Sequence, residues 1–245
     1  MARLEDKTAF ISGAAGSIGA ATARRFVAEG ARVVLSDVDA DRLHSLADEL
    51  GATAAVADVT NSAAVADAVA LAGELDIAFA NAGIFGDVAT VEDYDEAVFA
   101  HVLAVNVLGP FHVAKHALRA MRPGGSLILN SSVVGLTSDP GIAAYATSKH
   151  ALVGLMRTAA KEVADRGIRV NSIHPGPVDN AFQHRIETVA TGEREARAAE
   201  IVESMIPLGR HATADEIAAA VLFLASDESR FMTGAAIPVD GGMSI

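Results

Sequence analysis

Short apolar, β-branched runs alternate along this chain with segments whose apolar residues recur at helical spacing. Thr8–Ile11, Arg32–Ser36, Thr53–Ala57, Ile77–Ala80, Ser126–Asn130, Arg169–His174 and Ala236–Val239 read as short buried strands. Between them, Ile18–Glu29, Ala40–Leu50, Ser62–Ala72, a long stretch from Asp93 to Met121, Ala143–Asp165 and Asp215–Ala225 read as helices. Strands alternating with helices of this length form βαβ units, and near-continuous apolar strands such as Ile77-Ala78-Phe79-Ala80 suit a parallel sheet buried on both faces. The pattern predicts a doubly wound α/β fold with seven mostly parallel strands, built as one domain over residues 1–245. One stretch, Asp179 to Met205, breaks the rhythm with a charged helical piece, Gly192-Glu193-Arg194-Glu195-Ala196-Arg197. An insertion there lies beyond the carboxyl edge of the sheet, where doubly wound folds bind ligands. It reads either as a substrate cover or as a solvated surface helix.

Composition narrows the class. A chain of 245 residues, 51% hydrophobic and 20% charged, can bury a large core without disulfides or structural metal. It has no cysteine, which removes thiolate chemistry and agrees with a cytoplasmic setting. The formal net charge of −12 argues against nucleic acid and against an acidic protein as partner. The opening Met-Ala-Arg-Leu-Glu-Asp-Lys carries acids and no apolar core of a signal peptide. Apolar runs are expected to be broken by Asp or Glu before the roughly eighteen residues a membrane span needs.

Phe10-Ile11-Ser12-Gly13-Ala14-Ala15-Gly16-Ser17-Ile18-Gly19 runs an apolar strand into a glycine-rich turn and then a helix. Such a turn brings backbone N–H groups and a helix N-terminus close to a pyrophosphate. The glycines, Gly13, Gly16 and Gly19, lack the G-x-G-x-x-G spacing, and small residues in such turns equally serve packing. Asp37 shifts the balance. It ends the second strand about twenty residues after the turn, where an acid can hydrogen-bond the adenosine ribose. Against the 2′-phosphate of NADP at about 4 Å it would repel by roughly 4 kcal/mol at an effective dielectric near 20. Ala15 and Val38 offer no compensating cation, and Asp39 is itself a good cap for the following helix, so Asp37 is free for a ligand. The pattern therefore favours NAD over NADP. Asp58-Val59 and Asn81-Ala82-Gly83 close the third and fourth strands beside the expected adenine and ribose, positions that turn chemistry alone could also fill.

Tyr145 and Lys149, at i and i+4, share one face of a helix, and Ser132 ends the fifth strand thirteen residues before the tyrosine. A phenol of pKa about 10 is a poor base at neutral pH, but a neighbouring ammonium favours the phenolate. The tyrosine then becomes a usable acid/base for an alcohol or carbonyl oxygen, which Ser132 can also hydrogen-bond.

With these residues in place the whole chain resembles the short-chain dehydrogenase/reductase family, a Rossmann-type fold. The resemblance rests on Ser12-Gly13-x-x-x-x-Ile18-Gly19, Asp58-Val59, Asn81-Ala82-Gly83, Asn106, Asn130-Ser131-Ser132, Tyr145-x-x-x-Lys149, Asn171 to Val178 and Val239-Asp240-Gly241-Gly242. It implies a catalytic tetrad of Asn106, Ser132, Tyr145 and Lys149. In that scheme Tyr145 exchanges the proton with the substrate oxygen and Ser132 polarises that oxygen. Lys149 lowers the tyrosine pKa and binds the nicotinamide ribose, and Asn106 holds a water in a proton path. The turn at Pro175 and the backbone of Val178 would hold the carboxamide. Gly13, Gly16, Ser17, Ile18 and Gly19 would cradle the pyrophosphate. Three positions depart from the family pattern: Ser12 for threonine, Ser17 for the middle glycine, and Asn180 for a threonine.

The resulting expectation is an NAD-dependent enzyme acting on a small secondary alcohol, polyol or sugar, with no metal. Phe85, Val133, Val134, Ser138, Ile142 and residues 179–205 are expected on the substrate side. A 3-oxoacyl carrier-protein reductase is the alternative enzyme, opposed by Asp37 and by the charge of −12; a non-catalytic dinucleotide sensor is a third reading, opposed by the intact tetrad. His112 and His116 at i, i+4 read as a polar or interface pair, and His150 points away from the catalytic face. Surplus apolar positions on the helix from Ala143, with the relatives' habit of pairing through this helix and the one before it, imply a homotetramer.

Overall fold

The computed structural model describes residues 2–245. Its strands are β1 (Thr8–Ser12), β2 (Arg32–Asp37), β3 (Thr53–Val56), β4 (Leu75–Ala80), β5 (Met121–Asn130), β6 (Arg169–Pro175) and β7 (Ala236–Val239). They form one sheet in the order β3-β2-β1-β4-β5-β6-β7. Every neighbouring pair is parallel, β6 with β7 included, so the expected "mostly parallel" sheet is parallel throughout. The helices are α1 (Ser17–Ala28), α2 (Ala40–Leu50), α3 (Ser62–Ala70), α4 (Glu96–Leu103), α5 (Gly109–Ala120), α6 (Ala143–Glu162), α7 (Ala181–Thr191), α8 (Glu195–Ser204) and α9 (Ala214–Ala225).

Strand side chains alternate between two cores, one on each face of the sheet. Phe10, Val34, Ala78, Leu127 and Val170 pack with Val65, Val113 and Met156 from α3, α5 and α6. Their strand neighbours Ile11, Leu35, Phe79 and Ile128 pack with Phe26, Leu43 and Val221 from α1, α2 and α9. The chain winds outward through β1, β2 and β3, then returns to the other side of β1 as β4. The β1/β4 junction is thus a switch point, and the crevice at the carboxyl ends of these strands is the ligand position this topology creates.

Two expectations need correction. The stretch from Asp93 to Met121 is not one regular helix: α4 passes into a five-residue π-helical turn, Ala104–Leu108, before α5. In an unbroken helix the Asn106 carbonyl would accept from the N–H of residue 110, and Pro110 has none. The same region overturns the statement that acids interrupt every apolar run. Glu96–Ala120 is 25 residues long with a window hydropathy of 1.6, enough by length and composition to cross a membrane. Here its inner side packs against α3, α6 and β4 and carries the buried Asn106.

The Asp179–Met205 stretch holds two helices, α7 and α8, that pack on each other. Of Gly192–Arg197, expected as a helical piece, the second half, Glu195–Arg197, opens α8, and the first half is the turn between the helices: Gly192 ends α7 at φ 70° and Arg194 is the N-cap of α8.

Candidate active site

A cleft of about 560 Å³ runs along the carboxyl edge from the first glycine turn to Tyr145 and Lys149. At one end, Gly13 sits at φ +65°, and a Cβ there would come within 2.7 Å of the Ala82 backbone. A Cβ on Gly19 would fall 2.2 Å from the Gly13 carbonyl, so this glycine lets α1 approach the turn that it follows. Gly16 caps α1 with no side-chain acceptor, and the first turn carries no acid. The N–H groups of that turn are therefore available to an anion at the positive end of the helix. Gly13, Gly16, Ser17 and Ile18 line the cleft, while Gly19 lies behind it as packing.

Asp37 is held by two backbone donors: Ala15 N–H to Oδ2 at 2.9 Å and Asp39 N–H to Oδ1 at 3.1 Å. The carboxylate is thereby locked at the cleft wall, with lone pairs left for a diol. Asp39 caps α2, its side chain accepting from Arg42 N–H, as its position suggested. Asp58, Val59, Asn81, Ala82, Gly83, Pro175 and Val178 all line the same cleft. The set fits an extended dinucleotide: an anion-binding helix start, a fixed acid one strand away, and a polar far end beside a phenol.

At that far end, Lys149 is buried and donates from Nζ to the Asn130 carbonyl at 2.9 Å. Its Nζ lies 5.4 Å from the centre of the Tyr145 ring. Burial pulls the ammonium down to about 8. Burial also pushes the Tyr145 phenol up to about 12, the Ser132 hydrogen bond opposing it only in part. A phenol lowered by its lysine neighbour is the expectation from spacing; in this structure burial sets the direction and the phenol rises. At neutral pH the phenol is a proton donor aimed at whatever oxygen meets Ser132.

Asn106 is fully engaged. Its Oδ1 accepts from Ile84 N–H at 2.8 Å, and its Nδ2 donates to the Ile84 carbonyl at 2.7 Å and to Ser148 Oγ at 3.0 Å. Both amide hydrogens are spent, so a water in the role implied for Asn106 would look to its main-chain carbonyl. Ser132 is steadied from β6: His174 Nδ1 lies 2.8 Å from the Ser132 carbonyl and its Nε2 2.9 Å from Ser172 Oγ. Because a carbonyl only accepts, Nδ1 carries the proton and Nε2 accepts from the serine. Burial lowers the His174 pKa, which keeps the ring neutral in this arrangement.

Two departures from the family pattern meet in space. Asn180 caps α7, accepting from Gln183 N–H at 2.8 Å, and its Nδ2 donates to Ser17 Oγ at 3.0 Å. Helix α7 is thus tied to the glycine turn. Arg42, Asn130, Ser131, Phe182 and Gln183 also line the cleft and were not singled out for binding from sequence. Arg42 follows its helix cap by three residues, a spacing that could have flagged it; Phe182 and Gln183 carried no signal beyond their place in the inserted segment. Phe85, Val133, Val134 and Ile142 gather beside Tyr145, and Ser138 is exposed. His112 and His116 are used elsewhere, against the Val59 carbonyl and Ser62 Oγ, and His150 bonds its own helix at the Ala146 carbonyl.

Beneath α7 and α8 lies a second polar cluster. His211 places Nε2 2.7 Å from Glu187 Oε1 and Nδ1 3.0 Å from Glu203 Oε1. Gln183 adds an amide hydrogen bond to the same Glu187 oxygen, at 2.9 Å. Glu187 is 2% exposed and its other oxygen has no partner. Burial lowers the imidazole pKa, but the hydrogen bonds and charges of the two glutamates outweigh it and leave His211 above its ordinary range.

A family model described as enoyl-(acyl carrier protein) reductase matches residues 13–244. Among curated relatives, momilactone A synthase of Oryza sativa subsp. japonica is 44% identical over 99% of this chain and 92% of its own length. The 3-oxoacyl-[acyl-carrier-protein] reductase FabG of Thermotoga maritima is 38% identical over 99% of this chain and all of its own. Among solved structures, levodione reductase superimposes with a TM-score of 0.95 at 33% identity, covering 99% of both chains. NAD+-bound xylitol dehydrogenase gives 0.91 at 34% identity, covering 98% of this chain and 100% of its own. The chain belongs to the short-chain dehydrogenase/reductase family of oxidoreductases.

Two outcomes follow from the buried groups. Lys149 has a folded pKa below its unfolded value, so the cost of burying its charge is full below about pH 8 and is relieved as pH rises through that point. Replacing Lys149 by Met should raise stability at pH 7 by about 1–2 kcal/mol after the lost hydrogen bond is counted, measured by urea denaturation. For His211 the sign is opposite: with a raised folded pKa, its contribution is full in acid and is lost as pH rises through that pKa. Amide exchange in α7 and α8, followed by mass spectrometry, should accelerate between pH 6 and pH 9 more than in α1. Equal acceleration in both would rule out the coupling.

Proposed function

We propose that the enzyme uses NAD to interconvert a secondary alcohol and a ketone. The observation that carries this reading is the juxtaposition, at one end of a dinucleotide-sized cleft, of the Tyr145 phenol, the Ser132 hydroxyl and the Lys149 ammonium, with Asp37 fixed at the other end. When bound, the nicotinamide supplies or accepts the hydride at the substrate carbon. Tyr145, held protonated by burial, gives its proton to the oxygen as a ketone is reduced and takes it back as an alcohol is oxidised. Ser132 donates to the same oxygen and fixes its place. Lys149, anchored on Asn130, presents its remaining hydrogens to the ribose hydroxyls and to the tyrosine side of the site.

NAD is preferred over NADP because Asp37 meets the adenosine ribose as a fixed anion. The adenosine end also carries Arg42, whose Nε stands 4.0 Å from Asp39 Oδ2. With Asp37 removed, that cation would be the nearest partner for a 2′-phosphate. The xylitol dehydrogenase structure holds NAD+, while a related structure described as a blue fluorescent protein, with a TM-score of 0.89, holds NADPH, so the family supports either cofactor and Asp37 makes the choice. The same carboxylate and the net charge of −12 weigh against an acyl carrier-protein reductase.

The α4–α5 helix leaves Leu108 and Phe111 51% and 44% exposed on its outer side. We assign that face to subunit contacts within a homotetramer; light scattering on the eluted protein should give four times 25.1 kDa, and a monomer mass would refute it. Tyr145→Phe should lower kcat by about 1000-fold while NADH affinity stays within about threefold. A variant with near-wild-type kcat would remove Tyr145 from the proton path. Asp37→Ser should shift the NADP/NAD ratio of kcat/KM toward NADP by about 100-fold or more, given the repulsion it relieves; an unchanged ratio would locate cofactor choice elsewhere.

A further inference from the structure

Gln183 stands in the first turn of α7, four residues before Glu187 and on the same helix face. Its backbone N–H donates to the Asn180 cap at 2.8 Å, and Asn180 in turn holds Ser17 of the glycine turn. Its side chain reaches inward, Nε2 donating to Glu187 Oε1 at 2.9 Å. The same residue lines the cleft. One half-buried side chain thus belongs both to the ligand cleft and to the polar cluster beneath α7 and α8.

A carboxamide can turn end for end and present either N–H or C=O to a neighbour. Here the neighbour decides. Glu187 is 2% exposed, and its Oε1 also lies 2.7 Å from His211 Nε2. A carboxylate oxygen only accepts, so Gln183 has to offer it N–H. The reverse orientation would set two acceptor oxygens 2.9 Å apart and leave a buried carboxylate short of a donor. The Gln183 amide oxygen is therefore fixed at the opposite end, where it meets no donor among the described residues. Other polar side chains of the cleft are committed: Asn180 is divided between Ser17 and the α7 cap, and Ser131 bonds the Lys149 carbonyl at 2.9 Å. His101 also lines the cleft with its ring uncommitted, but it is exposed and can offer a donor or an acceptor. Gln183 can offer only an acceptor.

We infer that Gln183 is a specificity-determining residue of the cleft: its amide oxygen, held as an acceptor by Glu187, takes a hydrogen bond from an O–H or N–H of the bound ligand. This rests on the dehydrogenase reading above and deepens it. Two molecules can present such a donor, an alcohol substrate with a hydroxyl beyond the reacting one and the amide of the nicotinamide. A ligand without the donor leaves the oxygen dry and unpaired, and the site rejects it for that reason.

The test uses the full-length enzyme and Gln183→Met, which keeps an unbranched side chain and removes the acceptor. Xylitol carries a hydroxyl on every carbon, whereas 2-pentanol has the same chain length and only the reacting one. The ratio of kcat/KM for xylitol to that for 2-pentanol, with NAD, should fall about tenfold in the variant while the dissociation constant of NADH, followed by its fluorescence, stays within about twofold. That result assigns the acceptor to the substrate. An NADH dissociation constant raised about tenfold, with the ratio unchanged, assigns it to the nicotinamide amide. A residue that only braced α7 would lower both alcohols together, so an unchanged ratio with unchanged NADH affinity overturns the inference and leaves the dehydrogenase reading standing. A wild-type enzyme that oxidises 2-pentanol but not xylitol removes the substrate source, and the NADH measurement then decides alone. No turnover of either alcohol with NAD or NADP by an enzyme that binds NADH counts against the dehydrogenase reading itself.

Discussion

A ladder of hydrogen bonds across the carboxyl edge of the sheet links the two halves of the site. The Gly13 carbonyl accepts from Asn81 Nδ2 at 2.8 Å, Asn81 Oδ1 accepts from Asn130 Nδ2 at 2.8 Å, and the Asn130 carbonyl accepts from Lys149 Nζ at 2.9 Å. The first three residues end β1, β4 and β5, adjacent strands in parallel register. The distance from phosphate turn to lysine is therefore set by strand spacing and side-chain amides rather than by flexible loops. Inside a site of low polarity such a chain is rigid because each broken link strands a buried polar group.

Desolvation dominates the chemistry at the end of that ladder. A buried ammonium near pKa 8 and a phenol near 12 are each moved toward neutrality, so the free site holds the proton on the phenol, where ketone reduction needs it. The same burial reduces stability, as is common where reactive groups are held apart from water. His174, neutral and wedged between the Ser132 carbonyl and Ser172, fixes the main chain that carries Ser132.

The segment over the cleft has its own logic. Asn180 ties α7 to Ser17, and the Glu187–His211–Glu203 cluster fastens α7 and α8 from below. A pair of short helices with a charged exterior has little apolar surface to hold it in place, and hydrogen bonds from one imidazole to a glutamate of each helix add to it. The two glutamates that hold these helices together also hold the His211 pKa above its ordinary range.

Hydrophobic periodicity determined the seven strands, their parallel arrangement and most helices, because each periodic stretch has to bury a face. Residue chemistry at strand ends determined the candidate site, since a glycine turn, Asp37, Ser132 and the Tyr145–Lys149 spacing are local patterns. The π-helical turn at Asn106 was legible only through Gly109-Pro110, where a missing N–H breaks the ladder without altering the apolar pattern. Other features depended on tertiary structure alone. The direction of the tyrosine pKa, the meeting of Ser17 with Asn180, and the packing of Phe85, Val134 and Met243 around Tyr145 join residues remote in sequence. Their effect arises from burial and through-space contact, which spacing along a chain does not encode.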